Sequence, residues 1–156
     1  MINTESLIWQ SLYTFDEAPK SVQLWLNDEH SLTAKLKSMF ADFSVTVLSQ
    51  QQIKPHAHEA EIMQTDELCV VREVELMGDG QVVVFARSVI PVTPDTKQIL
   101  EIGAKPLGEV LFNQANIQRS PMQITHTGTV WGRRSLFTLG NTKLLVSEFF
   151  MENLYA

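Results

Sequence analysis

Residues 68–90 read LCVVREVELMGDGQVVVFARSVI. Leu68 to Met77 and Gln81 to Ile90 are valine-rich runs, parted by Gly78-Asp79-Gly80. Two such runs joined by a short glycine-containing loop predict an antiparallel hairpin. Successive side chains on a strand point to opposite faces of its sheet. Val70, Arg72, Val74 and Leu76 therefore share a face of the first strand, and Val83, Phe85, Arg87 and Val89 share a face of the second. One arginine interrupts each apolar stripe.

The flanking sequence extends this hairpin into a sheet. Ser44 to Ser49 predicts a strand before it, and Asn116 to Thr125, Val130 to Leu139 and Lys143 to Phe150 predict three after it. Gly128 and Gly140-Asn141 mark the turns between those three. Helices are predicted at four places. Pro19 opens the first, which carries Val22, Trp25 and Leu26 and is broken by Asn27-Asp28. Ser31 caps the second, whose Leu32, Leu36, Met39 and Phe40 repeat at helical spacing. A short third helix covers Thr96 to Ile102, and Pro106 starts a fourth with Leu107, Val110 and Leu111 on its inner side. Residues 51–66, QQIKPHAHEAEIMQTD, are polar and aperiodic and read as a loop placed to cover something. The expected fold is α+β: one domain over residues 1–156, with a single antiparallel sheet of about six strands and flanking helices.

Composition narrows the class. Hydrophobic residues are 44% and charged residues 19% of the 156, too apolar for disorder and too varied for collagen or coiled coil. Eighteen acidic against 12 basic side chains give a net charge of −6, which disfavours a nucleic-acid partner. The longest apolar run, Val82 to Ala86, falls far short of the roughly 20 residues that span a bilayer, so no membrane insertion is expected. Cys69 is the only cysteine, which excludes an intrachain disulfide and a cysteine-based zinc finger. With no basic, apolar leader at its N-terminus, the chain is expected in a reducing cytoplasm.

The charged residues inside apolar stripes are the strongest functional signal. Glu148 joins Arg72 and Arg87, since it shares a face of the last strand with Leu144, Val146 and Phe150. Two guanidiniums and a carboxylate on apolar sheet faces suit a pocket for an anionic, partly apolar ligand. They equally suit a structural ion pair of Arg72 or Arg87 with Glu148. Other candidates are weaker. His56, His58, Glu59 and Glu61 are metal-ligand types, but on a polar loop without a strong spacing signature. His126 stands alone, and Ser135 lacks the G-x-S-x-G setting of a hydrolase nucleophile. Trp131-Gly132-Arg133-Arg134, in an acidic chain, reads as a turn, a packing element or a small-anion contact.

Five blocks in order carry a resemblance: VREVEL at 71–76, ARSVIPV at 86–92, KPLGEVLF at 105–112, VWGRRS at 130–135 and KLLVSEFF at 143–150. Together they resemble the chorismate lyase family, from near Trp25 to Tyr155. The resemblance implies one antiparallel sheet with helices, and conversion of chorismate into 4-hydroxybenzoate and pyruvate, the entry step to the ubiquinone ring precursor. It implies no metal and no organic cofactor, and a monomer. By position, Arg72 matches the arginine that holds the aromatic carboxylate, and Glu148 the glutamate near the phenolic hydroxyl. Leu107 matches a pocket-lining leucine, and Leu32 a lining position often methionine in relatives. Arg87 falls on a second arginine of the pattern and is expected to hold the enolpyruvyl carboxylate. Residues 51–66 or the helix beginning at Leu107 are expected to enclose the product. The alternative is a non-catalytic sensor of aromatic acids, as in regulator domains that resemble this fold. Those domains normally follow a DNA-binding module, for which no room is expected before residue 44.

Overall fold

The computed structural model describes residues 2–11, 18–112 and 117–155. Strands β2 (Phe43–Ile53), β3 (Cys69–Gly78), β4 (Gln81–Pro91), β6 (Gln123–Thr127), β7 (Val130–Leu139) and β8 (Thr142–Phe150) form the sheet, with two-residue strands β1 (Gln10–Ser11) and β5 (Gln118–Arg119) at its margin. All pairs are antiparallel, in the order β1-β6-β7-β8-β4-β3-β2, with β5 on β7. Five of the six predicted strands are present, the sixth is split into β5 and β6, and β1 is an addition, which makes eight.

Asp79 and Gly80 close the β3–β4 hairpin with φ of 49° and 83°. Two positive φ values are what a type I′ turn requires, and an aspartate-glycine pair meets that need at little steric cost. Helix α1 (Lys20–Leu26) follows Pro19, and Ser31 caps α2 (Leu32–Met39) by accepting a hydrogen bond from the Ala34 amide. A 3-10 turn, Pro94–Thr96, leads into α4 (Lys97–Leu100), α5 is Leu107–Phe112, and α6 (Glu152–Tyr155) follows β8.

Two expectations are corrected. Residues 51–66 are not a loop: Gln51–Ile53 continue β2 along β3, and Ala57–Met63 form helix α3. The apolar periodicity is hidden because the inner face of α3 carries buried Glu59 where a core helix would carry an aliphatic residue. The predicted strand 116–125 is divided. Its start lies outside the described residues, and Pro121, which has no amide to donate, separates β5 from β6.

The sheet has two covered faces. On one, Val74, Leu76, Val84 and Phe150 pack with α1, α2 and Leu154, while Ile90, Phe137, Leu144 and Val146 pack with Ile99, Leu107 and Leu111. The other face carries Val71, Val89 and Leu145 under Met63 of α3.

Candidate active site

Between the two apolar clusters of the helix-covered face lies a polar seam. Cross-strand pairing lines up Arg72 on β3, Ser88 on β4, Val146 on β8 and Ser135 on β7. The adjacent row runs Val74, Ala86, Glu148, Arg133. Arg72 and Glu148 thus face the same side from strands two apart, roughly 10 Å at the usual strand spacing.

Arg72 is 2% exposed. Its Nη1 donates to Gln50 Oε1 at 3.1 Å and the Gly103 carbonyl at 2.7 Å, and its Nη2 donates to the Lys105 carbonyl at 2.9 Å. The segment before α5 is thereby held against the sheet. Nε is buried with no hydrogen-bond partner. Among the described residues no carboxylate lies within 4.0 Å of this guanidinium, and burial holds it below the usual arginine range. A buried cation in that state is complementary to an anion that arrives from outside.

Glu148 does have a partner, and it is neither Arg72 nor Arg87. Arg133 Nε donates to Glu148 Oε1 at 2.9 Å, and Arg133 Nη1 donates to the carbonyls of Trp25 and Asp28 at 2.9 and 2.5 Å. The carboxylate is fixed from the sheet while α1 and the turn after it are tied down by the same arginine. Oε2 of Glu148 keeps its lone pairs for another donor, with no partner among the described residues. Leu32, the first residue of α2, and Leu107, the first of α5, are both buried on this helix-covered face.

Arg87 does not belong to this group. A hairpin with a two-residue turn and unbroken register would set Arg87 opposite Arg72. The pairing instead shifts by one residue between Leu76↔Val84 and Met77↔Val82, so Arg72 opposes Ser88 and Arg87 opposes Glu73. A one-residue bulge sends every later side chain to the other face. There Arg87 makes a fork to buried Glu59, Nε to Oε2 and Nη2 to Oε1, both at 2.8 Å, and reaches Glu73 at 3.1 Å. Burial works to raise the Glu59 carboxyl, but the hydrogen bonds and charge of Arg87 outweigh it and hold the group below the usual carboxylate range. The enolpyruvyl role expected for Arg87 is therefore withdrawn, and so is the expectation that residues 51–66 enclose the site, because α3 covers the opposite face.

The histidines of α3 and its cap clasp the N-terminal segment. His56 Nε2 meets Thr4 Oγ1 at 2.9 Å, and His58 Nε2 meets the Thr4 carbonyl at 2.8 Å. His58 Nδ1 accepts from Arg134 Nη1 at 2.8 Å, and that guanidinium lies over the Trp9 ring. Burial pulls Arg134 down to about 10, and the charges of Glu59 and Glu61 offset it only in part. His126 is exposed and stacks on Trp131. Ser135 is buried and accepts a hydrogen bond from Arg119. Arg119 is not among the residues that the sequence points to, and Arg133 enters there only within Trp131-Gly132-Arg133-Arg134, not as the partner of Glu148. The pleat of Val130–Leu139 places Arg133 and Ser135 on one face, but Arg119 has no comparable signal beside Pro121.

The sequence model of the family described as "Chorismate lyase" matches residues 3–156. The chain belongs to the chorismate lyase family. A probable chorismate pyruvate-lyase of Pseudoalteromonas translucida is 34% identical over 167 residues, covering 94% of this chain and 93% of that protein. One of Aromatoleum aromaticum is 35% identical over 175 residues, covering 96% and 95%. Among solved structures, a possible transcriptional regulator YydK from Bacillus subtilis superposes with a TM-score of 0.47 at 15% identity, over 73% of this chain and 60% of that one. Members of the family act on chorismate and release 4-hydroxybenzoate and pyruvate. Among the described residues no helix is long and apolar enough to cross a membrane.

Proposed function

We propose that this chain converts chorismate into 4-hydroxybenzoate and pyruvate in the seam between α2, α5 and the sheet, acting as a cytoplasmic monomer without a nucleic-acid partner. The observation that carries the reading is Arg72, a buried guanidinium with an unpartnered Nε and no counter-ion among the described residues, two strands from a carboxylate that faces the same side. Arg72 takes the ring carboxylate, and Glu148 accepts the hydrogen bond of the C4 hydroxyl through its second oxygen. Leu32 and Leu107 pack on the ring. The C3–O bond breaks with its electron pair leaving on the enolpyruvyl oxygen, and C4 loses its proton. That oxygen's fragment takes up one proton at its methylene carbon and becomes pyruvate. Protons balance, and the ring gains aromaticity, so the step asks for no electron sink or cofactor. Fixed charges in a site shielded from water lower the barrier by being in place before the charge develops.

The test is to incubate the purified chain with chorismate while following 4-hydroxybenzoate by absorbance and pyruvate by a coupled assay. Equal amounts of both products are expected, at a rate unchanged by prior dialysis against a chelator. Saturable binding of chorismate with no turnover would instead select the sensor reading. The product keeps both groups that Arg72 and Glu148 hold, so progress curves should bend early and added 4-hydroxybenzoate should inhibit. Linear curves to high conversion would count against this placement.

A further inference from the structure

Resting on that reading, we propose that Arg119 is the second carboxylate-binding residue of the site and takes the side-chain carboxylate of chorismate. The withdrawal of Arg87 leaves a dianionic substrate with one assigned cation. Four further guanidiniums of known placement lie on or beside the sheet. Arg87 is neutralised by Glu59 and Glu73, and Arg133 by Glu148. Arg134 is on the α3 face, where it meets Gln123 and His58. Arg119 remains, and it sits on the correct face because it pairs with Phe137, whose side chain packs with Leu107 and Leu111.

Its setting is that of a held, unneutralised fork. Nε donates to Ser135 Oγ at 2.8 Å, and the guanidinium lies 5.0 Å from the centre of the Phe137 ring. Among the described residues its other hydrogen bond is a marginal one, Nη1 to the Glu29 carbonyl at 3.5 Å. Among the described residues no carboxylate lies within 4.0 Å of it. Burial, with the charge of Arg133 adding to it, holds this guanidinium below the usual arginine range, although the more distant charges of Glu148, Glu29 and Asp28 act the other way. Ser135 closes the row that Arg72 opens, and the floor between them is Ser88 and Val146, two small side chains. Across the sheet the order is Arg72, Glu148, Arg119. Around chorismate the order is ring carboxylate, C4 hydroxyl, and the carboxylate borne on the neighbouring C3 oxygen. Read round the ring from C1 by way of C6 and C5 to C4 and then C3, the two orders agree. After elimination that last carboxylate leaves with pyruvate, so Arg119 acts on substrate and not on the retained aromatic product.

The test separates the two ligands. In Arg119→Gln, kcat/KM for chorismate should fall about 100-fold while the inhibition constant of 4-hydroxybenzoate stays within about threefold. Arg119→Lys keeps a cation but not the fork, and should show the same split at about 10-fold. It serves as the readout if the glutamine variant is not recovered folded. Wild-type turnover that either folded variant retains within about threefold would overturn this proposal and leave the chorismate reading intact. Equal losses for chorismate and 4-hydroxybenzoate would also overturn it, since they would place Arg119 with the ring or with the fold. A wild-type chain that turns over no chorismate would overturn the reading itself, and this assignment with it.

Discussion

Arginine appears in three conditions on this sheet, and what surrounds each guanidinium decides its use. Arg87 is fully paired, Arg133 shares its charge between Glu148 and two carbonyls, and Arg72 has only neutral acceptors among the described residues. A hydrogen bond to a charged group contributes about 1.5–3 kcal/mol, so Arg72→Ala should weaken 4-hydroxybenzoate binding by about 10- to 100-fold, measured by titration calorimetry. Its effect on melting is expected to be small: carbonyls of Gly103 and Lys105 lose a donor, but the cost of a buried cation without a counter-ion is removed as well. Glu148→Gln keeps an oxygen for Arg133 Nε and removes the charge at the C4 hydroxyl. The single-turnover rate should drop by about 100-fold or more while 4-hydroxybenzoate still binds. Variants that unfold readily yet turn over normally when folded would reassign both residues to the fold.

At the level of elements, one bulge and one helix govern the two faces. The register shift near Val83 separates Arg72 from Arg87, and α3 is then held to the sheet by the Glu59–Arg87 fork as well as by Met63. Removing one member of a buried ion pair strands the other, at about 3–5 kcal/mol. Arg87→Ala should therefore lower the melting temperature by about 10 °C or more in a chain of this length. Its kcat/KM per folded molecule should remain near wild type, because the fork lies on the face away from the seam. A variant with wild-type melting and lost activity would return Arg87 to the site.

For the whole molecule, the α3 face makes stability depend on acid in one direction. Glu59 is held below its ordinary 4.5, so the stability it contributes is full above that value and is lost as pH falls through the lower folded value. His56 acts in the same direction: burial and then the charge of Arg87 hold it below 6.5, so the unfolded chain takes up that proton first. Melting temperature should fall on acidification below neutrality, first gently and then steeply below about pH 4.5, and the gap between wild type and Glu59→Gln should narrow in that acid range. A gap that persists unchanged to about pH 3 would show that the carboxylate charge is not what holds α3. The sequence by itself determined the main strands, the helices at Pro19, Ser31 and Pro106, the Asp79-Gly80 turn and the presence of stray charges in apolar stripes, because pleat, capping and turn chemistry act over a few neighbouring residues. Arg72 and Glu148 were legible for that reason. Only the tertiary structure decided which charges meet. A single inserted residue near Val83 reverses the face of Arg87, Pro121 detaches the short strand that delivers Arg119, and Glu59 makes a buried helix look like a polar loop. Alternation along one strand is local, whereas its register against the next depends on bulges and on partners distant in the chain.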